Sequence, residues 1–277
     1  MSDRPLAAAV SGLGVVDPAR AVVAAADEGF ARGRAAFETL RVYGGRPFRL
    51  EEHLARLSGS ADRLGLPEPD SEELRGLVDA ALAAAHASDV GLRLYWTPGA
   101  PDAGPAAIVL VSPIPVWIEE ARARGQRLVS LEFPGRSAPW LLPGTKSVSY
   151  ATHVAAETEA RRRGADDAIL VDLDGTVLEG TVTNVWWREG DTLLTPELEL
   201  GILAGETRAA LLELAPAEGF GVETGEFPLG RLLEADEVFT SSSVREVMPV
   251  VAVDGHPYDS RRAADVMLRA LRRLATG

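Results

Sequence analysis

Apolar residues along this chain switch repeatedly between a period of two and a period near 3.6, and they do so in two blocks. Such alternation restricts the chain to mixed architectures in which helices cover sheets. In the first block, from Val22 to about Ser112, the pattern predicts a strand and turn over Phe37–Arg46 and an amphipathic helix over Leu50–Leu64. A second helix over Ser71–His86 opens on Ser71, Glu72 and Glu73, which read as a capped, acidic start. Strands are expected over Gly91–Trp96 and Ala107–Ser112. The segment Ser112-Pro-Ile-Pro-Val-Trp117 breaks both periods. We therefore expect an α/β chain of two domains: a smaller one over 1–112, a linker over 113–120, and a larger, strand-rich one over 121–277. In the second block, Asp174-Gly175 marks the turn of a hairpin between Ala168–Leu173 and Thr176–Trp187. Gly/Pro-rich stretches at Pro98–Pro105 and Pro134–Gly144 read as ordered loops near a site or as connectors.

Composition excludes several function classes. With 277 residues, 46% of them apolar, the chain can bury a large core. It contains no cysteine, hence no disulfide, thiol nucleophile or thiolate metal site. A net charge of −13 with dispersed cations argues against a nucleic-acid binder. The one cationic cluster, Arg161–Arg163, reads as a solvated helix end. No apolar run is long enough for a membrane span, and Met1–Val16 lacks the basic start and apolar block of a signal peptide, so a cytoplasmic protein is expected.

Among candidate chemistries, Ile169-Leu-Val-Asp-Leu-Asp-Gly-Thr-Val177 resembles the nucleophile motif of haloacid-dehalogenase-type phosphatases. That chemistry needs a lysine downstream, and none follows Lys146, so Asp172 and Asp174 are read as hairpin residues. His53, His86, His153 and His256 lack ligand spacing, and no metal site is expected. Lys146 is the only lysine among 28 basic residues. An amine can deprotonate and form a Schiff base, which a guanidinium cannot.

Lys146 belongs to an ordered series of motifs. These are Phe37-Glu-Thr-Leu-Arg-Val-Tyr43 with Gly45, His53-Leu-Ala-Arg-Leu57 and Gly144-Thr-Lys-Ser-Val-Ser-Tyr150. Then come Glu179-Gly-Thr-Val-Thr-Asn184, Thr195-Pro196, Gly201–Arg208 and Asp236–Val250. Over about residues 25 to 255 the series resembles the class IV aminotransferases, the fold-type IV enzymes that use pyridoxal 5′-phosphate (PLP). That family includes D-amino-acid, R-amine and branched-chain transaminases and aminodeoxychorismate lyases.

The resemblance implies two α/β domains with PLP between them and Lys146 in the larger one, as Schiff-base and proton-carrying residue. It implies that Glu179 pairs with the pyridine nitrogen while Asn184 fixes the local backbone. Phosphate donors would be Arg56, the helix start at Glu206 and Thr207, and Ser242 with Ser243, which stand where many relatives have Gly-Thr. Thr39 and Tyr150 are candidate substrate contacts. Relatives often carry Gly-Asp-Gly where this chain has Gly33-Arg34-Ala35, and the Arg-x-His carboxylate trap of D-amino-acid transaminases is not recognisable in Thr97–Gly104. Arg34 and Arg93 are therefore candidate grips for a substrate carboxylate, with a solvated cation or a structural ion pair as the alternative for each. The implied activity is transamination between a D-amino acid or R-amine and a 2-oxo acid. Aminodeoxychorismate lyase, releasing pyruvate and 4-aminobenzoate, stands second, and a branched-chain L-amino-acid transaminase third. A homodimer with a shared site is implied, and Trp140, Trp186 and Trp187 are compatible with such an interface.

Overall fold

The computed structural model describes residues 4–20, 23–133 and 142–277; Val22, Trp140 and most of the Pro134–Gly144 loop lie outside the described residues. The chain forms two compact units, Met1–Pro115 with Thr145–Tyr150, and Val116–Gly144 with Ala151–Gly277.

Unit 1 is an antiparallel sheet backed by helices. Its elements are β1 (Ala7–Val10), β2 (Gly14–Val16), α1 (Glu28–Arg32), β3 (Ala36–Tyr43), β4 (Arg46–Pro47), α2 (Leu50–Arg63), α3 (Ser71–Ala85), β5 (Val90–Thr97) and β6 (Ala106–Pro113). The strands run in the order β2-β1-β6-β5-β3-β4. Alternation along β3 and β5 decides what each face does. Leu40, Val42, Leu92 and Leu94 point to one face and pack with Leu54, Leu57, Leu74, Leu77 and Val78 of α2 and α3. Phe37, Thr39, Arg41, Gly91, Arg93 and Tyr95 have the opposite parity and remain partly exposed. Both helices and the strands β3, β5 and β6 fall where the periods put them, although the cap of α3 is Asp70, whose Oδ1 accepts from the Glu72 amide at 2.8 Å.

Unit 2 contains α4 (Trp117–Arg124), β7 (Gln126–Glu132), α5 (Ala151–Arg162), β8 (Asp167–Val171), β9 (Val177–Gly180), β10 (Asn184–Glu189), β11 (Thr192–Pro196), α6 (Glu206–Leu214), β12 (Gly221–Gly225), α7 (Leu229–Leu233), β13 (Glu237–Ser242), β14 (Glu246–Val253), β15 (His256–Pro257) and α8 (Arg262–Thr276). Its sheet runs β12-β11-β10-β13-β14-β7-β8-β9, with β15 on β14. The strands β8 and β9 form the expected hairpin, closed by Gly175 N–H to the Asp172 carbonyl at 2.9 Å, so the Asp-x-Asp-Gly-Thr run is a turn.

Four expectations change. The predicted strand over Thr176–Trp187 is two strands, broken where Gly180 and Thr183 bond to each other across a bend. Helix α4 starts at Trp117, inside the expected linker. Trp186 and Trp187 are fully buried among Val185, Phe227, Val238 and Phe239, and are core residues rather than interface ones. Finally, the Lys146 segment packs with unit 1, because the Phe37 amide donates to the Lys146 carbonyl (3.0 Å) and the Val148 amide to the Ala35 carbonyl (2.9 Å). Among the described residues no helix is long and apolar enough to cross a membrane.

Candidate active site

In unit 1 Thr39 and Arg93 share the partly exposed face of the sheet with Phe37 and Tyr95. The Lys146 segment is tied to the start of β3 by an isolated bridge between Ala36 and Ser147, and the Lys146 amide donates to Ser60 Oγ at 3.2 Å. This anchoring places Lys146 Nζ 4.5 Å from the centre of the Phe37 ring. Phe37 stacks with Tyr95, its partner on β5, at 6.0 Å, and meets Tyr150 edge-on at 5.2 Å. Thr39 and Arg93 form the pair two positions further along these strands, about 7 Å away at the usual rise. Arg93 is exposed, and among the described residues it makes no hydrogen bond or ion pair. Thr145, the residue before Lys146, has its Oγ1 buried without a hydrogen-bond partner among the described residues.

Arg34 is engaged within unit 1. Its Nε donates to the Leu64 carbonyl at 3.0 Å, its Nη1 to Glu28 Oε2 at 2.5 Å, and its Nη2 to the Gly65 carbonyl. The hydrogen bond from Arg34, opposed by burial, holds the Glu28 carboxyl below its ordinary range. Of the readings open to Arg34, the structure shows an ion pair with Glu28. The turn before it is equally constrained: Gly33 has φ 70°, and a Cβ there would come within 2.4 Å of Ser149 Oγ, which donates to the Gly33 carbonyl.

Arg56 lies on α2, beneath the helix-covered face of the sheet. Its Nε donates to Glu38 Oε1 at 2.8 Å and its Nη2 to Glu38 Oε2 at 2.7 Å, a bidentate pair. His53 Nδ1 lies 2.7 Å from Glu38 Oε2. Burial pushes the Glu38 carboxyl up, but Arg56, then His53, outweigh it and bring it down to about 2. Glu38 is thus ionised at neutral pH, and His53 Nδ1 carries the shared hydrogen. Sequence reasoning found Arg56 but not the two residues that orient it, and it left Tyr95 out of the site. The even spacing of Glu38 with Leu40 and Val42 was the available signal that this carboxylate points inward.

In unit 2 the bend after β9 turns Glu179 and Asn184 toward each other, and Asn184 Nδ2 donates to Glu179 Oε2 at 3.3 Å. The same amide donates to the Leu203 carbonyl at 2.9 Å, while the Leu203 amide donates back to the Glu179 carboxylate at 3.1–3.2 Å. Glu179 is therefore fixed through both its oxygens. Helix α6 follows at once, capped by Gly205 with no side-chain bond to its first amides. A Cβ on Gly205 would sit 2.0 Å from Asn184 Oδ1, so this helix start requires glycine. Glu206 and the buried Thr207 open the helix, and Arg208 is spent on the Pro196 carbonyl (2.8 Å) and Thr195 Oγ1 (3.4 Å). Ser242 ends β13 and Ser243 begins the turn to β14; both are half-buried. No group of acidic or histidine side chains suited to a metal occurs among the described residues.

Taken separately, unit 1 offers an anchored amine of the kind that reacts with a carbonyl, and unit 2 offers a carboxylate fixed through both oxygens and a helix start without a side-chain cap, of the kinds that suit a basic ring nitrogen and a phosphate. Comparison with known proteins agrees. The family model for amino-transferase class IV matches residues 35–253. A bifunctional aminodeoxychorismate lyase / D-amino acid transaminase of Mycobacterium tuberculosis is 35% identical over 268 residues, covering 91% of this chain and 93% of the relative. A putative branched-chain-amino-acid aminotransferase of Methanocaldococcus jannaschii is 32% identical, covering 91% and 89%. The solved structure of a hypothetical aminotransferase from Mycobacterium tuberculosis in a PLP-bound form superposes with a TM-score of 0.90 at 32% identity, over 98% of both chains. With the family model spanning most of its length, the chain belongs to the class IV aminotransferases and is a PLP-dependent enzyme.

Proposed function

We propose that this enzyme is a transaminase acting on D-amino acids or R-amines, with a 2-oxo acid as acceptor. The observation that carries this reading is the open face of the unit 1 sheet, where Lys146 Nζ stands over the Phe37 ring, which itself packs against Tyr95 and Tyr150. PLP, when bound, supplies the electron sink that lets a donor carbon lose a proton. Lys146 would hold the cofactor through Nζ, and its free amine would carry the proton from the donor α-carbon. Glu179, oriented by Asn184 and the Leu203 amide, would pair with the pyridine nitrogen and favour its protonated form. Arg56, the amides at Glu206 and Thr207 with the Thr207 hydroxyl, and Ser242 with Ser243 take the phosphate. Arg93, Thr39 and Tyr150 face the substrate, and with Arg34 engaged elsewhere Arg93 is the carboxylate grip. We place the enzyme in the cytoplasm as a homodimer.

Lyase activity on aminodeoxychorismate is the second reading, favoured by Thr39 and by the double name of the Mycobacterium tuberculosis relative. Both reactions begin with the same proton removal at Lys146. The deciding experiment is an absorbance spectrum of the purified holoenzyme followed by D-alanine. Loss of the yellow band with release of pyruvate is expected. A band inert to D-alanine, L-amino acids and R-amines overturns the transaminase reading, and aminodeoxychorismate is then the substrate to add.

A further inference from the structure

The turn that carries Ser242 and Ser243 ends on a residue the backbone disfavours. Glu246 adopts φ 57°, in the left-handed region, at the point where the three-residue turn Ser243–Arg245 re-enters β14 opposite Ser242. Glycine is the usual occupant of that position in such hairpins, because a side chain there costs about 1 kcal/mol. Glu246 is nevertheless fully buried, and its carboxylate is what holds it there. Arg272 of α8 donates to it through Nε (3.0 Å) and Nη2 (2.6 Å), and Arg122 of α4 reaches it with Nη2 at 3.1 Å. Arg122 also donates to the two carbonyls flanking Glu246, Arg245 O at 2.6 Å and Val247 O at 3.2 Å. Glu119 joins both guanidiniums from the outer side. On the other edge of the turn, Arg245 Nη1 donates to the buried Asp167 at 2.7 Å and its guanidinium covers the Trp117 ring.

A strained residue persists only where its surroundings over-determine it, and here two helices do so at one end of the turn bearing both candidate phosphate serines. We propose that the Arg122–Glu246–Arg272 clamp is a positioning device for the cofactor's phosphate: it fixes the Ser242–Arg245 turn so that its hydroxyls and amides converge on that group. This rests on the PLP reading above, with Ser242 and Ser243 as phosphate donors. The clamp touches no reacting atom. It acts through the turn, and it makes the C-terminal helix part of the cofactor site.

The test compares the affinities of the apoenzyme for PLP and for pyridoxal, which lacks the phosphate, by absorbance titration. The variants are Glu246→Gly, which suits the backbone angle but removes the carboxylate, and Arg272→Ala at a half-exposed position, as the change least able to prevent folding. The clamp predicts that the PLP-over-pyridoxal preference falls about tenfold or more in each, the loss expected when a charge-assisted contact is misplaced, with pyridoxal affinity nearly unchanged. A preference equal to that of the unmodified protein, or equal losses for both ligands, overturns the proposal and leaves the clamp a fold-stabilising network. If the unmodified protein shows no such preference, the phosphate assignment fails and the clamp proposal with it.

Discussion

Glu38→Gln should destabilise the protein by about 3 kcal/mol at neutral pH, with a characteristic dependence on acid. The carboxyl is 1% exposed and its ordinary value of 4.5 is brought down to about 2. Burial opposes this lowering, and the bidentate contact with Arg56, supported by His53, outweighs it. Glutamine keeps the shape but loses the charge, leaving Arg56 and His53 facing a neutral amide, and breaking a buried pair in this way costs roughly 3–5 kcal/mol. Because the folded-state value is depressed, the contribution of Glu38 is complete above pH 4.5 and is lost as the pH falls toward 2. Urea unfolding of both proteins at several pH values, followed by circular dichroism, should therefore show curves that separate at neutral pH and converge in acid. A Glu38→Gln protein within about 1 kcal/mol of the parent at pH 7, or a gap that does not close on acidification, would refute the reasoning.

Lys146→Ala should abolish transamination while leaving the circular dichroism spectrum and Tm unchanged, and substantial residual turnover would remove Lys146 from its role. Arg93→Ala should raise KM for carboxylated donors about tenfold, the order expected for one charged hydrogen bond, with simple amines little affected; equal effects on both donors would mark Arg93 as a solvated cation. Arg34→Ala should lower Tm while leaving the ratio of these two KM values unchanged, because its guanidinium serves Glu28 and the Leu64–Gly65 carbonyls. Gly33→Ala should cost at least about 1–2 kcal/mol in unfolding experiments, from its backbone angle together with the approach of Ser149 Oγ; a neutral result would mean that this turn relaxes easily.

Where local pattern decides structure, the sequence was a sufficient guide. The even spacing of Leu40, Val42, Leu92 and Leu94, and the apolar stripe of Leu54 and Leu57, follow from burial on one face, and the structure puts these residues in one core. Asp174-Gly175 was legible for the same reason, since a two-residue signal specifies its turn by itself. The short β1 and β2 carried too few alternations to register, and α1 has only five residues. The fate of each arginine was not legible at all. Arg34, Arg56 and Arg93 look alike along the chain, yet one is tied to Glu28 and two carbonyls, one to Glu38, and one stands on the open face. Those partners are 6 to 31 residues away in sequence, and only the folded backbone selects among them.

The bond between the Phe37 amide and the Lys146 carbonyl also bears on how the protein is made. Its partners are on the order of a hundred residues apart, and closing a loop of that length costs about 4 kcal/mol in chain entropy before any contact repays it. During synthesis the first 115 residues can emerge and begin to pack without the strip that completes their sheet edge beside β3. The amine must wait for some thirty further residues, and its addition to the sheet is a late, long-range step of the kind that slows folding. Arrival of the amine and completion of the N-terminal unit are thus one event, so a fragment ending at the natural break near Pro115 would lack both the reactive group and the strip that seats it.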